Sequence, residues 1–234
     1  MTNTARHTID RETFTLSERY ERTDGDVLLT GVQAVVRVLV DQLRADRSRG
    51  LNTAAFVSGY PGSPLGGFDL ALQRMDKGDL NIQHISGLNE ELAATAVWGS
   101  QQDHLAPLKD LDGVIGMWYG KDPGLDRCGD VLRHANLHGV GSNGGVVLAI
   151  GDDPSAKSSA LPGSCEHTLF DLAIPVFTPG TVQEVSELGR HAFELSRSTG
   201  LYVGLKIVTA IADGFGIAHV DSHRHPVITK QFQI

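Results

Sequence analysis

The feature that most constrains the fold is an alternation of short apolar runs with longer segments of helical character. Six runs rich in β-branched or other apolar residues occupy 54–58, 82–85, 113–118, 146–150, 175–178 and 202–208. Helical patterns cover 28–43, 68–75, 90–101, 130–135 and 182–196, and Thr30 could serve as a cap for the first. Strands that are apolar on both faces and alternate with helices are typical of a mainly parallel sheet. We therefore predict an α/β fold, with helices on both faces of the sheet.

The 234 residues are enough for one well-buried domain, which we place at 27–214. The polar stretch 1–26 is interpreted as a leader, and 215–234 as a tail or the start of a linker to further domains. The start of the chain has no apolar core of the kind found in signal peptides. The most apolar helix is interrupted by Arg37 and Asp41, which excludes a membrane span there. We expect a cytoplasmic location.

Charge and cysteine content exclude several classes of function. The formal net charge is -8 and the basic residues are scattered, so we expect neither nucleic acid nor anionic lipid as a partner. Cys128 and Cys165 are the two cysteines, too few for a disulfide framework or a thiolate-rich metal site. An iron–sulfur cluster takes about four Cys ligands, so this chain alone cannot hold one. His134 and His138 lack a suitably spaced third ligand, and we predict no metal site in the chain.

The loops that follow the predicted strands concentrate Gly, Pro, Ser and Asp, and ligands of parallel sheets bind beyond the carboxyl ends of strands. The first loop, 59–67 (GYPGSPLGG), could clamp a ligand or could simply be a tight strand-to-helix turn. The second loop places Glu90 and Glu91 in the first turn of a helix, so one should point inward and the other outward. Acidic residues also favour this position through the helix dipole alone. The third loop, 119–130, carries Lys121 and Arg127.

Two familiar motifs are rejected on context. Gly139-x-Gly141-x-x-Gly144 matches the dinucleotide fingerprint, but it precedes a predicted strand instead of following one and opening a helix. Cys165 and His167 are close in sequence, but such neighbours rarely face each other as a nucleophile and its base. A Walker-type loop is absent from the sequence, as is the Gly-Asp-Gly motif that holds magnesium and diphosphate, which 151–153 (GDD) approaches without completing.

Four segments in order resemble the amino-terminal region of indolepyruvate:ferredoxin oxidoreductases, especially the long fused bacterial form. They are VSGYPGSPLGGFD (57–69), GLNEELAATAVWGSQ (87–101), GMWYGKDPGLDRCGDVLRHANLHG (116–139) and GGVVLAIGDDPSAKSS (144–159). The resemblance implies the pyrimidine-binding half of a thiamine diphosphate site, in an enzyme that oxidatively decarboxylates a 2-oxoacid to an acyl-CoA. It also implies a partner domain or subunit that holds Mg²⁺ and the diphosphate, iron–sulfur clusters elsewhere, and an oligomeric assembly. Ferredoxin, coenzyme A and an aryl-2-oxoacid such as indolepyruvate would then be its partners.

The resemblance also implies a catalytic residue, because the family pattern places a Glu before a helix of small residues, and Glu90 is the matching position. Its carboxyl would share a proton with the pyrimidine ring and so drive the coenzyme to its reactive form. That role favours a desolvated carboxyl of raised proton affinity. We expect Leu88, Leu92 and Ala93 to provide the apolar setting.

The remaining site residues implied by the resemblance come from the first and third loops. Gly59, Tyr60 and Pro61 would contact the coenzyme, and Ser63 stands where the family has a Thr beside the substrate carboxylate. Lys121 and Arg127 could bind the substrate or coenzyme A, or could belong to an exposed ion-pair network.

Two alternatives to this function remain open. One is a catalytically incomplete domain with a binding or scaffolding role, since the chain lacks the diphosphate motif and every cluster ligand. The other is a component of a different thiamine diphosphate-dependent transferase or decarboxylase, which would need the same kind of half-site.

Overall fold

The structure is a computed structural model that describes residues 15–105, 108–157 and 159–226. In chain order its elements are α1 (Glu18–Glu21), β1 (Asp24–Thr30), α2 (Gly31–Ser48), β2 (Thr53–Gly59), α3 (Phe68–Arg74), β3 (Ile82–Ser86), α4 (Glu90–Gly99), β4 (Gly113–Lys121), α5 (Asp122–Arg127), α6 (Gly129–His138), β5 (Gly145–Asp152), α7 (Glu166–Asp171), β6 (Val176–Phe177), α8 (Val182–Thr199), β7 (Val203–Val208), α9 (Thr209–Ala212) and β8 (Phe215–Asp221).

Six strands form one parallel sheet in the order β3-β2-β4-β5-β7-β6. Its central strand β5 is buried along its whole length. Successive side chains of a strand point to opposite faces. Val147 and Ala149 accordingly pack under α2, α3 and α8, whereas Val146, Leu148 and Ile150 pack under α4, α6 and α7. The predicted α/β fold, with helices on both faces of a mainly parallel sheet, is confirmed.

Helix α2 begins three residues later than the sequence pattern predicted, but its cap is the predicted one. The Thr30 hydroxyl accepts a hydrogen bond from the Gln33 backbone N–H at 3.2 Å. In return, the Thr30 backbone N–H donates to the Gln33 side-chain oxygen at 3.0 Å. This reciprocal arrangement is a capping box, which satisfies two otherwise unpaired N–H groups. The residues before the cap belong to β1 instead of the helix.

Replacing Thr30 with alanine is expected to lower the free energy of unfolding by about 1 kcal/mol, because the capping hydrogen bond is lost. Urea unfolding followed by circular dichroism would measure the change. Thr95→Ala is a matched control, since that exposed hydroxyl bonds only to the Glu91 carbonyl of its own helix. An equal loss in the control variant would contradict the capping explanation.

The first and last strands of the described chain form a separate antiparallel pair. Their register runs from Asp24 opposite Asp221 to Thr30 opposite Phe215. Residues 24–26, placed in the leader by the sequence, are therefore paired with part of the stretch interpreted as a tail. Each strand buries only alternate side chains, which is a weaker signal than that of the central strands. The domain boundaries at 26/27 and 214/215 stay predictions.

A buried arginine on α2 ties both ends of the described chain to the core. Arg37 is fully buried and donates to the Asp41 carboxylate and to the Arg19 and Arg22 carbonyl oxygens. The Ser222 hydroxyl, just beyond β8, donates to Asp41 at 2.6 Å. In the described part of the chain, no helix combines the length and apolar character needed to cross a membrane.

Candidate functional site

Strands β2 and β4 are neighbours in the sheet, and we call the region beyond their carboxyl ends the crevice. The chain leaves β2 towards α3 on one face and leaves β4 towards α5 on the other, and such divergence is typical of ligand sites in parallel sheets. A Cβ on Gly59 would lie 2.1 Å from the Tyr119 carbonyl oxygen, so only glycine fits there. The Tyr60 N–H donates to that same oxygen at 3.1 Å, and the Gly87 N–H donates to the Gly59 oxygen at 2.9 Å. The loops after β2, β3 and β4 therefore meet at this point.

The first loop approaches the end of β4 closely. Tyr60 and Pro61 are exposed and Ser63 is half-buried. A Cβ on Gly62 would lie 3.4 Å from the Lys121 Cβ, so the turn that carries Ser63 passes directly beside this lysine. The structure thus brings together predicted residues of the first and third loops.

Tyr119 is a buried tyrosine that sequence reasoning did not assign to the site, and it packs against Phe68, the residue that follows the first loop. The Tyr119 ring packs against Phe68 with centroids 4.8 Å apart, and its hydroxyl lies 3.0 Å from His84 Nε2. Burial raises the pKa of Tyr119 to about 12, so its hydroxyl keeps its proton. The aromatic ring could be recognised as core from the sequence, but its contact with an edge-strand histidine could not.

Glu90 is the first residue of α4, and its side chain turns towards α5. Asn89 caps the helix by accepting from the Leu92 N–H at 2.9 Å. The Glu90 Cγ lies 2.5 Å from the position that a Cβ on Gly124 would take. Trp118 Nε1 donates to the Glu90 carbonyl at 3.0 Å. The side chain is half-buried, and its carboxylate forms no hydrogen bond or ion pair with another residue that the structure describes.

Glu91 takes the opposite orientation, as the sequence led us to expect of one of the two carboxylates. It is exposed, and its carboxylate lies 3.9 Å from Arg127 Nε on a solvated surface. This geometry matches the ion-pair alternative for Arg127. Lys121 is half-buried and forms no ion pair with any carboxylate of the described residues.

The apolar setting expected around Glu90 is only partly present within the chain. Ala93 is buried, but Leu88 is 87% exposed and Leu92 is 51% exposed. The expectation for these two leucines is wrong for the chain by itself, because the start of α4 lies at the open edge of the site and directs them outward. Tyr60 and Ile85 are also large, apolar and exposed at this end of the sheet. We call these four side chains the apolar rim.

Comparisons with known proteins were made for the whole chain. The indolepyruvate oxidoreductase subunit IorA of Methanothermobacter thermautotrophicus is 29% identical over 200 residues, which cover 85% of the chain and 29% of that protein. IorA of Pyrococcus horikoshii is 26% identical over 195 residues, which cover 81% of the chain and 26% of that protein. The chain is similar to IorA over most of its own length. It spans less than a third of the length of these relatives, and no family model matches it.

A solved structure shares the fold. The 2-oxoglutarate:ferredoxin oxidoreductase from Magnetococcus marinus, with 2-oxoglutarate, coenzyme A and succinyl-CoA bound, aligns with a TM-score of 0.56. The alignment covers 84% of the chain and 32% of that protein, at 14% sequence identity. The resemblance to indolepyruvate oxidoreductases drawn from the sequence is confirmed by the IorA relatives.

Two carboxylates that sequence reasoning did not assign to the site lie behind the third loop. Asp122 opens α5 and accepts from the Ser164 N–H at 3.1 Å. Burial raises its pKa, and the nearby carboxylate of Asp152 raises it further. Oxygens of both aspartates lie within 3 Å of the position that a Cβ on Gly163 would take, so the loop after β5 is pinned between them. The pair links strand ends that are distant in sequence, which is why no local motif revealed it.

The Asp152 carboxylate also belongs to a compact ionic cluster. Lys206 Nζ lies 2.9 Å from Asp152 Oδ2 and 2.6 Å from Glu166 Oε1. Asp152, Cys165 and Glu166 are the one group of three potential metal ligands that the described residues bring within 4.8 Å of one another. Lys206 already supplies a positive charge to the Asp152 and Glu166 carboxylates, so ion pairing with the lysine explains why they lie together.

Neither cysteine is placed to act as a nucleophile in this IorA-like domain. Both are buried, and burial raises the pKa of Cys128 to about 12 and that of Cys165 also. The His134 and His138 rings both lie beside the Trp98 ring, at centroid distances of 6.5 and 5.2 Å. Their four-residue spacing on α6 therefore has a packing explanation.

Proposed function

We propose that the chain is the pyrimidine-binding half of the thiamine diphosphate site of a 2-oxoacid:ferredoxin oxidoreductase. The enzyme would oxidatively decarboxylate indolepyruvate or a related arylpyruvate and release an acyl-CoA. One observation carries the proposal: Glu90 presents a carboxylate that no described residue pairs with, beside an apolar rim that the described part of the chain leaves uncovered. A carboxylate placed at the edge of an incomplete apolar site is what a shared coenzyme site requires.

The residues at the crevice fit the proposed coenzyme. Gly59 allows two strands and the first loop to approach each other closely, and Tyr60 and Pro61 are exposed beside it for contact with a ring. When bound, thiamine diphosphate supplies the reactive carbon that adds to the 2-oxo group and accepts the electrons released by decarboxylation. Glu90 would hold a proton at the pyrimidine ring nitrogen, and Trp118 and Gly124 fix the backbone and the rotamer of this residue.

Cationic and hydroxyl groups from two loops would bind the substrate carboxylate. Lys121 has no carboxylate partner among the described residues and lies against the turn that carries Ser63. We assign the main electrostatic contact to Lys121 and a hydrogen bond to Ser63. Arg127 also stays a proposed ligand of substrate or coenzyme A, although its pairing with Glu91 places it at the surface.

The rest of the active site would come from a partner domain or subunit. That partner would hold Mg²⁺ and the diphosphate, and further parts of the enzyme would carry the iron–sulfur clusters that reduce ferredoxin. Exposed apolar patches bordered by polar residues mark interaction surfaces, so the apolar rim is where the partner would dock and exclude water from Glu90. We propose an oligomeric, cytoplasmic enzyme.

Reconstitution tests this function directly. The chain alone is expected to bind thiamine diphosphate weakly in calorimetry with Mg²⁺ present. Addition of a partner that carries a Gly-Asp-Gly diphosphate motif and cysteine clusters should give ferredoxin reduction dependent on indolepyruvate, coenzyme A and thiamine diphosphate. Tight coenzyme binding by the chain alone would contradict the half-site. An assembled complex without activity would favour a scaffolding role, and activity without ferredoxin would favour a thiamine-dependent transferase.

Gly124→Ala tests the positioning of Glu90. The added methyl would lie 2.5 Å from the Glu90 Cγ and displace the carboxylate, so kcat of the assembled enzyme should fall by at least about tenfold. The Michaelis constant for the 2-oxoacid should change little, because Glu90 acts on the coenzyme. Gly129→Ala is the matched control, since a Cβ at that glycine contacts nothing within 4 Å. Equal kcat values for the two variants would contradict this role.

A further inference from the structure

Unpartnered polar atoms collect at the junction of α8 with the end of β8. Nε and Nη2 of Arg190, Oγ of Ser186 and Nδ1 of His225 are all buried without a hydrogen-bond partner among the residues that the structure describes. Ser186 and Arg190 are one turn apart and so share a face of α8. Folded proteins seldom leave buried donors unpaired, because each one costs free energy. The concentration of such atoms in one place indicates a missing polar ligand.

Two adjoining clefts border these atoms. Each has a volume of about 280 Å³, and both include Arg190, Arg224 and Glu187 in their walls. Ser186 lines one cleft and His225 lines the other. Together they offer room for a small ligand between α8 and the residues that follow β8.

Arg190 forms no ion pair with a carboxylate of the described residues, although Asp41, Asp221 and Glu194 lie near enough to act on its pKa. Its side chain is only 8% exposed, and its single hydrogen bond runs from Nη1 to the Asp221 carbonyl at 2.7 Å. Burial lowers its pKa, which reflects the cost of holding the guanidinium away from water. The Asp41 carboxylate nearby is already bonded to Arg37 and to Ser222. Asp221 Oδ1 accepts instead from the backbone N–H groups of His223 and Arg224.

The chemistry of the unpartnered atoms favours an anionic ligand. The guanidinium and hydroxyl groups donate hydrogen bonds. The Ser48 hydroxyl donates to the Ala45 carbonyl at 2.8 Å, so His225 Nε2, 3.0 Å from Ser48 Oγ, donates to that hydroxyl and His225 Nδ1 is an acceptor in the neutral ring. Arg224 is exposed at the mouth and adds a second positive charge. Asp41, Glu187 and Asp221 are the acids in the walls. The two aspartates are bonded as described above, and Glu187 is exposed and accepts from Gln183 Nε2 at 2.8 Å.

We propose that this cleft binds a phosphate group, with Arg190 as its main ligand, Ser186 and Arg224 as further donors, and His225 Nδ1 as an acceptor for a phosphate hydroxyl. A phosphate offers several acceptor oxygens and a charge that can reach -2, which suits two guanidinium groups with neighbouring donors. The cleft lies at the Asp24–Asp221 end of the β1–β8 pair, whereas the Thr30–Phe215 end lies beside α9 at the carboxyl edge of the sheet. The phosphate site is therefore separate from the Glu90 crevice and does not depend on the proposed function.

Calorimetric titration of the full chain with inorganic phosphate tests the site, at constant ionic strength set with chloride. Saturable binding is expected for the unaltered chain. Arg190→Gln should weaken it by more than about thirtyfold, because a buried charged hydrogen-bond donor is lost. Arg224→Gln removes only an exposed charge and should weaken binding by about two- to fivefold, without risk to folding. Arg133→Gln, on exposed α6, is the control that should bind as the unaltered chain does.

The outcomes separate the possible sources of the anion. Tighter binding of phenyl phosphate than of inorganic phosphate supports the site and indicates a phosphorylated organic molecule as its ligand. Equal or weaker binding of the ester supports a site for free phosphate. The proposal is overturned if no saturable binding occurs, if acetate binds as well as phosphate, or if Arg190→Gln and Arg224→Gln both bind like the Arg133→Gln control.

Discussion

Replacing Glu90 with glutamine is expected to reduce the turnover of the assembled enzyme by roughly 10²–10⁴-fold, the usual contribution of a positioned acid–base group. The amide keeps the size of the side chain but cannot share a proton with the coenzyme ring. Stability should change by less than about 1 kcal/mol, because the Glu90 carboxylate bonds to no described residue and only its interaction with the helix dipole is lost. Steady-state kinetics of the reconstituted complex, with urea unfolding of the chain, would measure both effects.

The neighbouring carboxylate provides a matched control for this experiment. Glu91→Gln makes the same chemical change one residue along the chain and removes an exposed ion pair with Arg127 at 3.9 Å. Its turnover should stay within about twofold of normal, since such pairs contribute little. Near-normal turnover of Glu90→Gln would remove the mechanistic assignment. A large loss in Glu91→Gln alone would move the role to that residue.

The second large effect is expected at the amino-terminal ends of the strands. There, Asp46→Asn should lower the free energy of unfolding by roughly 3–5 kcal/mol. The Asp46 side chain is fully buried and accepts from both terminal nitrogens of Arg197 at 2.9 Å, from Arg49 and from Thr53. Loss of its charge leaves the guanidinium groups of half-buried Arg197 and of the more exposed Arg49 with Glu194 as their remaining carboxylate. Urea unfolding at pH 7 would measure the loss.

Asp79→Asn is the control for that experiment, because Asp79 also pairs with an arginine of α2 but is largely exposed. It should cost less than about 1 kcal/mol. Similar losses in the two variants would show that burial of the Asp46 network adds nothing to stability.

The same network predicts how stability depends on pH. Burial alone would raise the pKa of Asp46 and of Glu194, but the bonds and charges of the arginines hold both values below the ordinary range. A carboxyl whose pKa is lower in the folded state contributes its full stability above the unfolded value, near 4, and loses it as the pH falls through the folded value. Acidification below about pH 4 should therefore destabilise the unaltered chain more than it destabilises Asp46→Asn.

Much of the sheet could be predicted because its central strands are apolar on both faces. The runs that became β2, β4, β5 and β7 were each placed to within a few residues, since burial on both sides leaves a continuous apolar signal. Strands β1 and β8 were missed for the opposite reason. Each buries two apolar side chains on alternate positions, such as Val27 and Leu29, and exposes the residue between them. Their pairing is fixed by tertiary contact that local sequence does not record.

The candidate site also combines features that the sequence predicts with features that depend on tertiary contacts. That the loops rich in glycine and acids lie together was predictable, because each follows the carboxyl end of a strand in one parallel sheet. The inward orientation of Glu90 could not be derived from local sequence, since it depends on the space left by Gly124, a residue of another loop. The outward direction of Leu88 and Leu92 also depends on tertiary position. Roles of individual site residues therefore stay predictions until the variants are measured.

The pairing of β1 with β8 has a consequence for how the polypeptide matures during synthesis. Among the described strands, β1 pairs only with β8. The Asp41 carboxylate, which binds Arg37, likewise gains its hydrogen bond from the Ser222 hydroxyl only after the residues following β8 have been made. A nascent chain can assemble the parallel sheet first, but the strand made earliest must stay open-edged until translation has passed Asp221. Loop closure over such a span adds only a modest entropic cost at equilibrium, yet it makes this closure a late kinetic event. Before β8 pairs with it, β1 presents an unpaired edge that chaperones would protect.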